Sequence, residues 1–210
     1  YGGVMDVSVK EPTADGHDMF VLSKGHAVAT LASVMADRGY FSNETLWNSR
    51  SIGSILNGHP GPILPGVQMA TGPEGHGMPV AQGFAIAGRE APTFDVFCLT
   101  GDGEIQAGVI WEAVMYAGQN GVDNLCVLVD RNRGQLDNPR ATAFPMEDVE
   151  RWFAGFNWRT VSVDATNYQN ILVQLRRFRS NPRNGQPTAI ILNSNKGSGG
   201  YSDFCVSHKA

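Results

Sequence analysis

An aspartate set between two glycines, Asp102 in "TGDG", closes one apolar run, and thirty positions later Asn132 in "VDRN" closes the next. Both side chains offer hard oxygen ligands, one a carboxylate and one an amide. The flanking glycines let backbone N–H groups approach a ligand closely, and a helix starting near Glu104 would aim its positive end at the same spot. Such a nest suits a phosphate. A bare carboxylate beside a phosphate is a conflict, worth roughly 4 kcal/mol at about 4 Å and an effective dielectric near ~20. A divalent cation removes it: carboxylate, amide oxygen, a nearby backbone carbonyl and phosphate oxygens together describe an octahedral Mg²⁺ site. The chain has no GxxxxGK[ST] loop, so the pattern is not that of a P-loop. It predicts a diphosphate held through metal. A tight strand-to-helix turn with Asn132 as a cap would account for either residue by itself, but the spacing of the two favours a site.

That spacing matters because of the elements between the two residues. The pattern predicts a strand over 94–100, a helix over 104–119 with Ile105, Val109, Ala113, Tyr116 and Ala117 on one face, and a strand over 125–130. A strand, a helix and a strand of these lengths make a right-handed βαβ unit with parallel strands. Asp102 and Asn132 then emerge together at the carboxyl edge, where open α/β sheets bind ligands.

Around this unit the chain continues the alternation. "DMFVLS" reads as a first strand. A helix over 27–38 follows, with Leu31, Val34 and Met35 on one face and Gly39 as its terminator. Segment 51–79 is rich in glycine and proline and reads as a long functional loop. "VAQGFAIAGRE" and "MEDVERWFAGF" read as helices and "WRTVSVDA" as a strand. "NYQNILVQLRRFRS" reads as a helix with Ile171, Leu172, Leu175 and Phe178 inward, and "TAIILN" as the last strand. The expected fold is α/β, a mostly parallel sheet flanked by helices on both faces. No internal repeat, low-complexity tract or linker is visible.

Composition narrows the partners. At 210 residues, 42% hydrophobic and 17% charged, the chain is expected to be one soluble domain over 1–210, clipped at both ends. No apolar run is long enough to span a bilayer. The net charge of −4 comes with acids and bases interspersed, which excludes a basic stripe for nucleic acid. Cys98 and Cys126 lie in apolar runs and Cys205 stands alone, a pattern of buried thiols in a reducing, cytoplasmic compartment. The opening residues carry no targeting signal.

Three of the five histidines, His26 in "SKGH", His59 in "GHP" and His208 in "SHK", sit in glycine-rich or loop contexts suited to proton transfer near neutral pH. His17 reads as a surface residue. Trp111 and Glu112 read as helix packing and an exposed charge.

At this point the blocks "VLSKGHAVATLASVMADRGYF", "GHPG", "PGVQMATGPEGHGMPVAQGFAIA", "GDGEIQAGVIWEA", "NLCVLVDRNRGQLD" and "KGSGG…SHKA" together resemble the transketolase family, in order and over nearly the whole chain. The resemblance implies the diphosphate-binding domain of thiamine diphosphate enzymes. It implies that Asp102 and Asn132 bind Mg²⁺ (Ca²⁺ substituting) through side chains and Gly134 through its carbonyl, with Asn132 also at the cofactor. It also implies a diphosphate contact from the Gly103 N–H, with Glu104 beside it. Gly72, Glu74 and Gly75 would lie on the loop beside the cofactor. His26, His59 and His208 would line the cofactor and substrate channel, His26 and His208 also touching the cofactor. Glu112 would lie near a subunit interface.

The family activates its cofactor with a glutamate from a second, pyrimidine-binding domain, which this chain is expected to lack. The chain therefore resembles the N-terminal subunit of a split transketolase. Its partner would be a C-terminal subunit bringing that glutamate, with two copies of each chain assembled. The implied reaction moves a two-carbon ketol unit from a ketose donor to an aldehyde acceptor. The alternatives are a deoxyxylulose phosphate synthase-like acyloin enzyme and a non-catalytic scaffold subunit. The chain departs from the family in "GPEGHG", where Glu74 replaces an apolar residue and His76 a glutamine, and in "DATN" at 164–167. An acid beside the cofactor changes local proton affinity, which points to an unusual donor or acceptor.

Overall fold

The computed structural model describes residues 2–134 and 148–197. Five strands, β1 (Met19–Leu22), β2 (Val96–Gly101), β3 (Leu125–Arg131), β4 (Arg159–Asp164) and β5 (Thr188–Asn193), form one parallel sheet in the order β1-β2-β3-β5-β4. Helices α1 (Val28–Asp37), α2 (Asn43–Trp47) and α3 (Gly77–Ala87) connect β1 to β2. Helix α4 (Gly108–Gln119) connects β2 to β3, α5 (Val149–Gly155) precedes β4, and α6 (Tyr168–Ser180) joins β4 to β5.

Strand residues alternate between two cores, as the pleat requires. Val96, Cys98, Leu125, Val127, Val129, Ala189 and Ile191 face α3, α4 and α5. Phe97, Cys126, Val163 and Ile190 face α6 and the amino-terminal segment around Val4. Helices on both faces explain why these strands read as nearly continuous apolar runs. On α6, Ile171, Leu172, Leu175 and Phe178 do point inward, and Cys98 and Cys126 are buried free thiols. Cys205 lies outside the described residues.

Two expectations about α4 are corrected, and one element is added. The helix expected from Glu104 begins at Gly108 instead: Glu104–Gln106 form a 3₁₀ turn and Ala107 is extended. The Glu104 side chain causes this, because it folds back to accept the Gly101 N–H and holds the chain in a tight turn. On α4 the buried residues are Ile110, Ala113, Val114, Ala117 and Gly118, whereas Tyr116 is half exposed. The later start shifts the inward stripe. Helix α2 has no counterpart in the sequence pattern. It is a single short turn of helix with no buried residue, so it leaves no apolar periodicity to read.

Of segment 51–79, residues 51–76 have no regular element, as the composition predicts, but Gly77, Met78 and Pro79 already form the first turn of α3, and the irregular part is packed. Leu56 and Leu64 are buried with Ala32 of α1. Gly39 ends α1 with φ +88°, the expected left-handed terminator. Leu31, Val34 and Met35 share a face, which borders an apolar cavity of about 300 Å³ beneath the amino-terminal segment.

Candidate active site

Parallel strands place all five carboxyl ends on one edge, and every loop leaving that edge reaches one crevice. Lys24 follows β1, Asp102 follows β2, Asn132 follows β3, Thr166 follows β4 and Ser194 follows β5 around a cavity of about 560 Å³. The sheet register sets the neighbours: Gly101 lies beside Asp130 and Arg131 beside Asn193. Asp102 and Asn132 therefore stand one step past the ends of adjacent strands.

Two hydrogen bonds fix them. The Arg133 N–H donates to Asp102 Oδ2 at 2.8 Å, and the Gly134 N–H donates to Asn132 Oδ1 at 2.9 Å. Arg133 takes φ +61°, a left-handed conformation that a side-chain-bearing residue adopts at a cost of order 1 kcal/mol. That turn aims its N–H at Asp102. The Asp102 carboxyl is pushed up from its ordinary range by burial, opposed by the Arg133 N–H, with nearby Asp130 adding to the rise and Gly103 N–H and Lys24 opposing it. At 4% exposure it is a desolvated acid.

Asp130, which the sequence reading does not single out, organises the crevice floor. It accepts from Asn132 Nδ2 at 3.0 Å and from the Ser194 hydroxyl at 3.3 Å, and it forms an ion pair with Lys24. The Lys196 N–H donates to the Asn132 carbonyl at 3.0 Å, tying the loop after β5 to the same turn. The "DRN" triplet and the lysine of "SKGH" are the traces of this arrangement in the sequence. Both are visible there, but only the sheet joins them.

The glycine segment 72–77 lies directly on this edge. A Cβ on Gly75 (φ +79°) would come within 2.9 Å of the Ala107 Cβ, and one on Gly77 within 2.5 Å of the Ser23 Cβ. Bare backbone is what lets the segment pack against the β1 and β2 ends. Glu74 is carried outward to the rim of the crevice, and His76 Nδ1 lies 3.0 Å from the Glu74 carbonyl. Glu104 borders the crevice, but it is buried and its two oxygens accept the Gly101 N–H at 3.1 Å and the Gly75 N–H at 3.4 Å.

His26 is exposed on the crevice wall, and His59 stands beside it with ring centroids 5.3 Å apart. His59 rests over two glycines: a Cβ on Gly25 would come within 2.8 Å of its ring, and one on Gly72 within 3.3 Å. Gly103 and Gly134 line the crevice floor. His208 lies outside the described residues. His17 sits away from this edge, 3.7 Å from Asp6. Trp111 packs on Trp152 at 5.6 Å and Phe153 at 5.5 Å, while Glu112 is exposed on the outer face of α4. In "DATN", Asp164 accepts from the Thr166 N–H at 2.8 Å and its hydroxyl at 2.7 Å, and Asn167 caps α6 through the Asn170 N–H at 3.0 Å. These residues build a turn, with Thr166 at the crevice.

Among the described residues no three His, Cys, Asp or Glu side chains form a metal-holding cluster. A cation here would rest on the Asp102 carboxylate, the Asn132 amide oxygen and oxygens from the ligand itself. A buried carboxyl driven upward by desolvation fits that role, since a divalent cation restores its charged form.

Comparison with known proteins adds the family. The family described as "Transketolase, thiamine diphosphate binding domain" matches residues 4–210. The chain is 35% identical over 202 residues to a protein of Phocaeicola vulgatus named as one subunit of an apulose-4-phosphate transketolase, covering 95% of this chain and 70% of that one. It is 35% identical over 192 residues to the transketolase of Pongo abelii, covering 90% of this chain and 30% of that protein. Among solved structures, the transketolase of Campylobacter jejuni superposes with a TM-score of 0.87 at 32% identity, over 95% of this chain and 33% of that one. The chain thus spans about 30% of the length of a full transketolase relative.

Proposed function

Because the chain belongs to the family of transketolase thiamine diphosphate-binding domains, we propose that its crevice holds thiamine diphosphate through Mg²⁺ and that it serves as one subunit of a two-chain transketolase. The observation that carries this reading is the pair of hydrogen bonds that fix Asp102 and Asn132 in the adjoining turns after β2 and β3, at the carboxyl edge. Their oxygens, with the Gly134 carbonyl, would hold the cation, and the Gly103 N–H would meet the diphosphate. When bound, the cofactor supplies the carbanion chemistry that moves a two-carbon ketol unit from a ketose to an aldehyde.

The chain's own groups bind, orient and handle protons. Lys24, paired with Asp130, brings a positive charge to the crevice floor and offsets the acids there. His26 on the crevice wall and His59 beside it are placed to hold substrate hydroxyls and move protons. His208 would join them. Glu74 and Gly72 would flank the cofactor from the rim. A partner subunit carrying a pyrimidine-binding domain and the activating glutamate would complete the site in a cytoplasmic assembly with two copies of each chain. The Phocaeicola vulgatus relative, itself named as one subunit of a transketolase, supports the two-chain reading. Among the described residues no helix is long and apolar enough to cross a membrane.

The test is a titration of thiamine diphosphate with and without Mg²⁺, on the chain alone and with its partner. Mg²⁺-dependent binding strengthened by the partner, together with ketol transfer only by the pair, is expected. Turnover by this polypeptide alone would sink the two-chain reading, and absence of binding even with the partner would favour a scaffold.

A further inference from the structure

Glu104, expected beside the diphosphate, spends both carboxylate oxygens on the protein's own backbone. It sits two residues after Asp102, is 8% exposed and turns its carboxylate into the protein. Its two oxygens meet N–H groups from two different segments, Gly101 at the end of β2 and Gly75 of the glycine segment. Burial pushes its carboxyl up, opposed by the Ser23 hydroxyl beside it and by the Gly101 and Gly75 N–H groups. A desolvated acid held in this way has a reason to be there, because burial is costly unless the group is fully used.

We propose that Glu104 is a positioning residue, a clamp that fixes the glycine segment 72–77 onto the Asp102 turn and so sets the shape of the crevice. This inference rests on the cofactor reading for its functional consequence. At Gly75 and Gly77 the segment meets its neighbours through bare backbone, with no side chain of its own to anchor it there. The adjoining Glu74 and Gly72 line the crevice, so any loosening at Gly75 moves the wall that faces the ligand. Two converging donors also explain why a carboxylate is required. Glutamine would offer one acceptor where two are needed.

Residue-resolved hydrogen exchange on the full chain, wild type against Glu104→Gln, tests the clamp. The amide keeps one acceptor for the Gly101 N–H at 3.1 Å and releases the longer Gly75 bond at 3.4 Å. Exchange at Gly75 should accelerate about tenfold while Gly101 stays protected. Affinity for thiamine diphosphate in Mg²⁺ should fall by a similar factor. Unchanged exchange at Gly75 would overturn the proposal. So would lost cofactor affinity without a change at Gly75, since the carboxylate would then contact the ligand directly. If the variant does not fold, the wild type decides: a Gly75 amide exchanging at the rate of an unstructured chain refutes the clamp. Failure of the wild type to bind thiamine diphosphate would strike the cofactor reading and leave the exchange test standing.

Discussion

The backbone N–H of Arg133 donates to the carboxylate of Asp102 at 2.8 Å, across 31 positions of sequence. One bond thus ties the turn after β2 to the turn after β3. It gives a buried acid a partner that carries no formal charge, leaving the carboxylate available to a cation.

Replacing Asp102 by Asn keeps an acceptor for that N–H and removes the charge. Mg²⁺-dependent thiamine diphosphate binding should weaken by about 100-fold or more, as expected for loss of a charged ligand rather than of an outer hydrogen bond. Calorimetric titration of both proteins measures this.

The same substitution has a pH signature. The Asp102 carboxyl is raised in the folded state, chiefly by burial. A raised acid favours folding below its ordinary range and loses that contribution as pH rises through the folded value. Wild type should therefore lose stability relative to Asp102→Asn as pH rises above the ordinary carboxylate range of about 4. Urea midpoints of the two proteins without metal would show this, and parallel curves would contradict it.

Asp130 partners Lys24, Asn132 and Ser194. Substitution by Ala leaves a partly buried cation and an amide donor without their acceptor. The expected loss is about 1–3 kcal/mol, read from denaturant unfolding.

Two glycines should behave oppositely. A Cβ at Gly118 would lie 1.7 Å from the Phe156 carbonyl oxygen, whereas nothing lies within 4 Å of one at Gly83 in α3. Gly118→Ala should cost about 3 kcal/mol or more through a forced shift of α4 against the chain after α5. Gly83→Ala should stabilise by about 0.5–1 kcal/mol, because the helix loses a flexible residue. Thermal or urea unfolding of the two variants beside wild type measures both effects.

Glu74 lies at the crevice rim, and His76 Nδ1 lies 3.0 Å from its carbonyl. Changing both, Glu74→Leu with His76→Gln, should alter the ranking of donors and acceptors used by the assembled enzyme. An unchanged ranking in a panel of sugar phosphates and uncharged sugars would remove them as specificity determinants.

Much of this is legible before the fold. Strand runs such as "VFCLTG" and "LCVLVDR" are apolar over their first four or five residues because both faces of the sheet are covered, and their lengths place Asp102 and Asn132 at one edge. The glycine segment announces a close approach. The start of α4 is not legible, because a side chain folding back on its own turn leaves no periodicity.

Sequence by itself determined the residue types, their order and, through the blocks, the family. Tertiary structure decided which of them meet. Lys24 and Asp130 lie 106 positions apart, and Glu104 and Gly75 lie 29. Neither pair shares an element, so no local pattern encodes the contact. Only the parallel register, which brings every strand's carboxyl end to one edge, makes a floor of one pair and a clamp of the other.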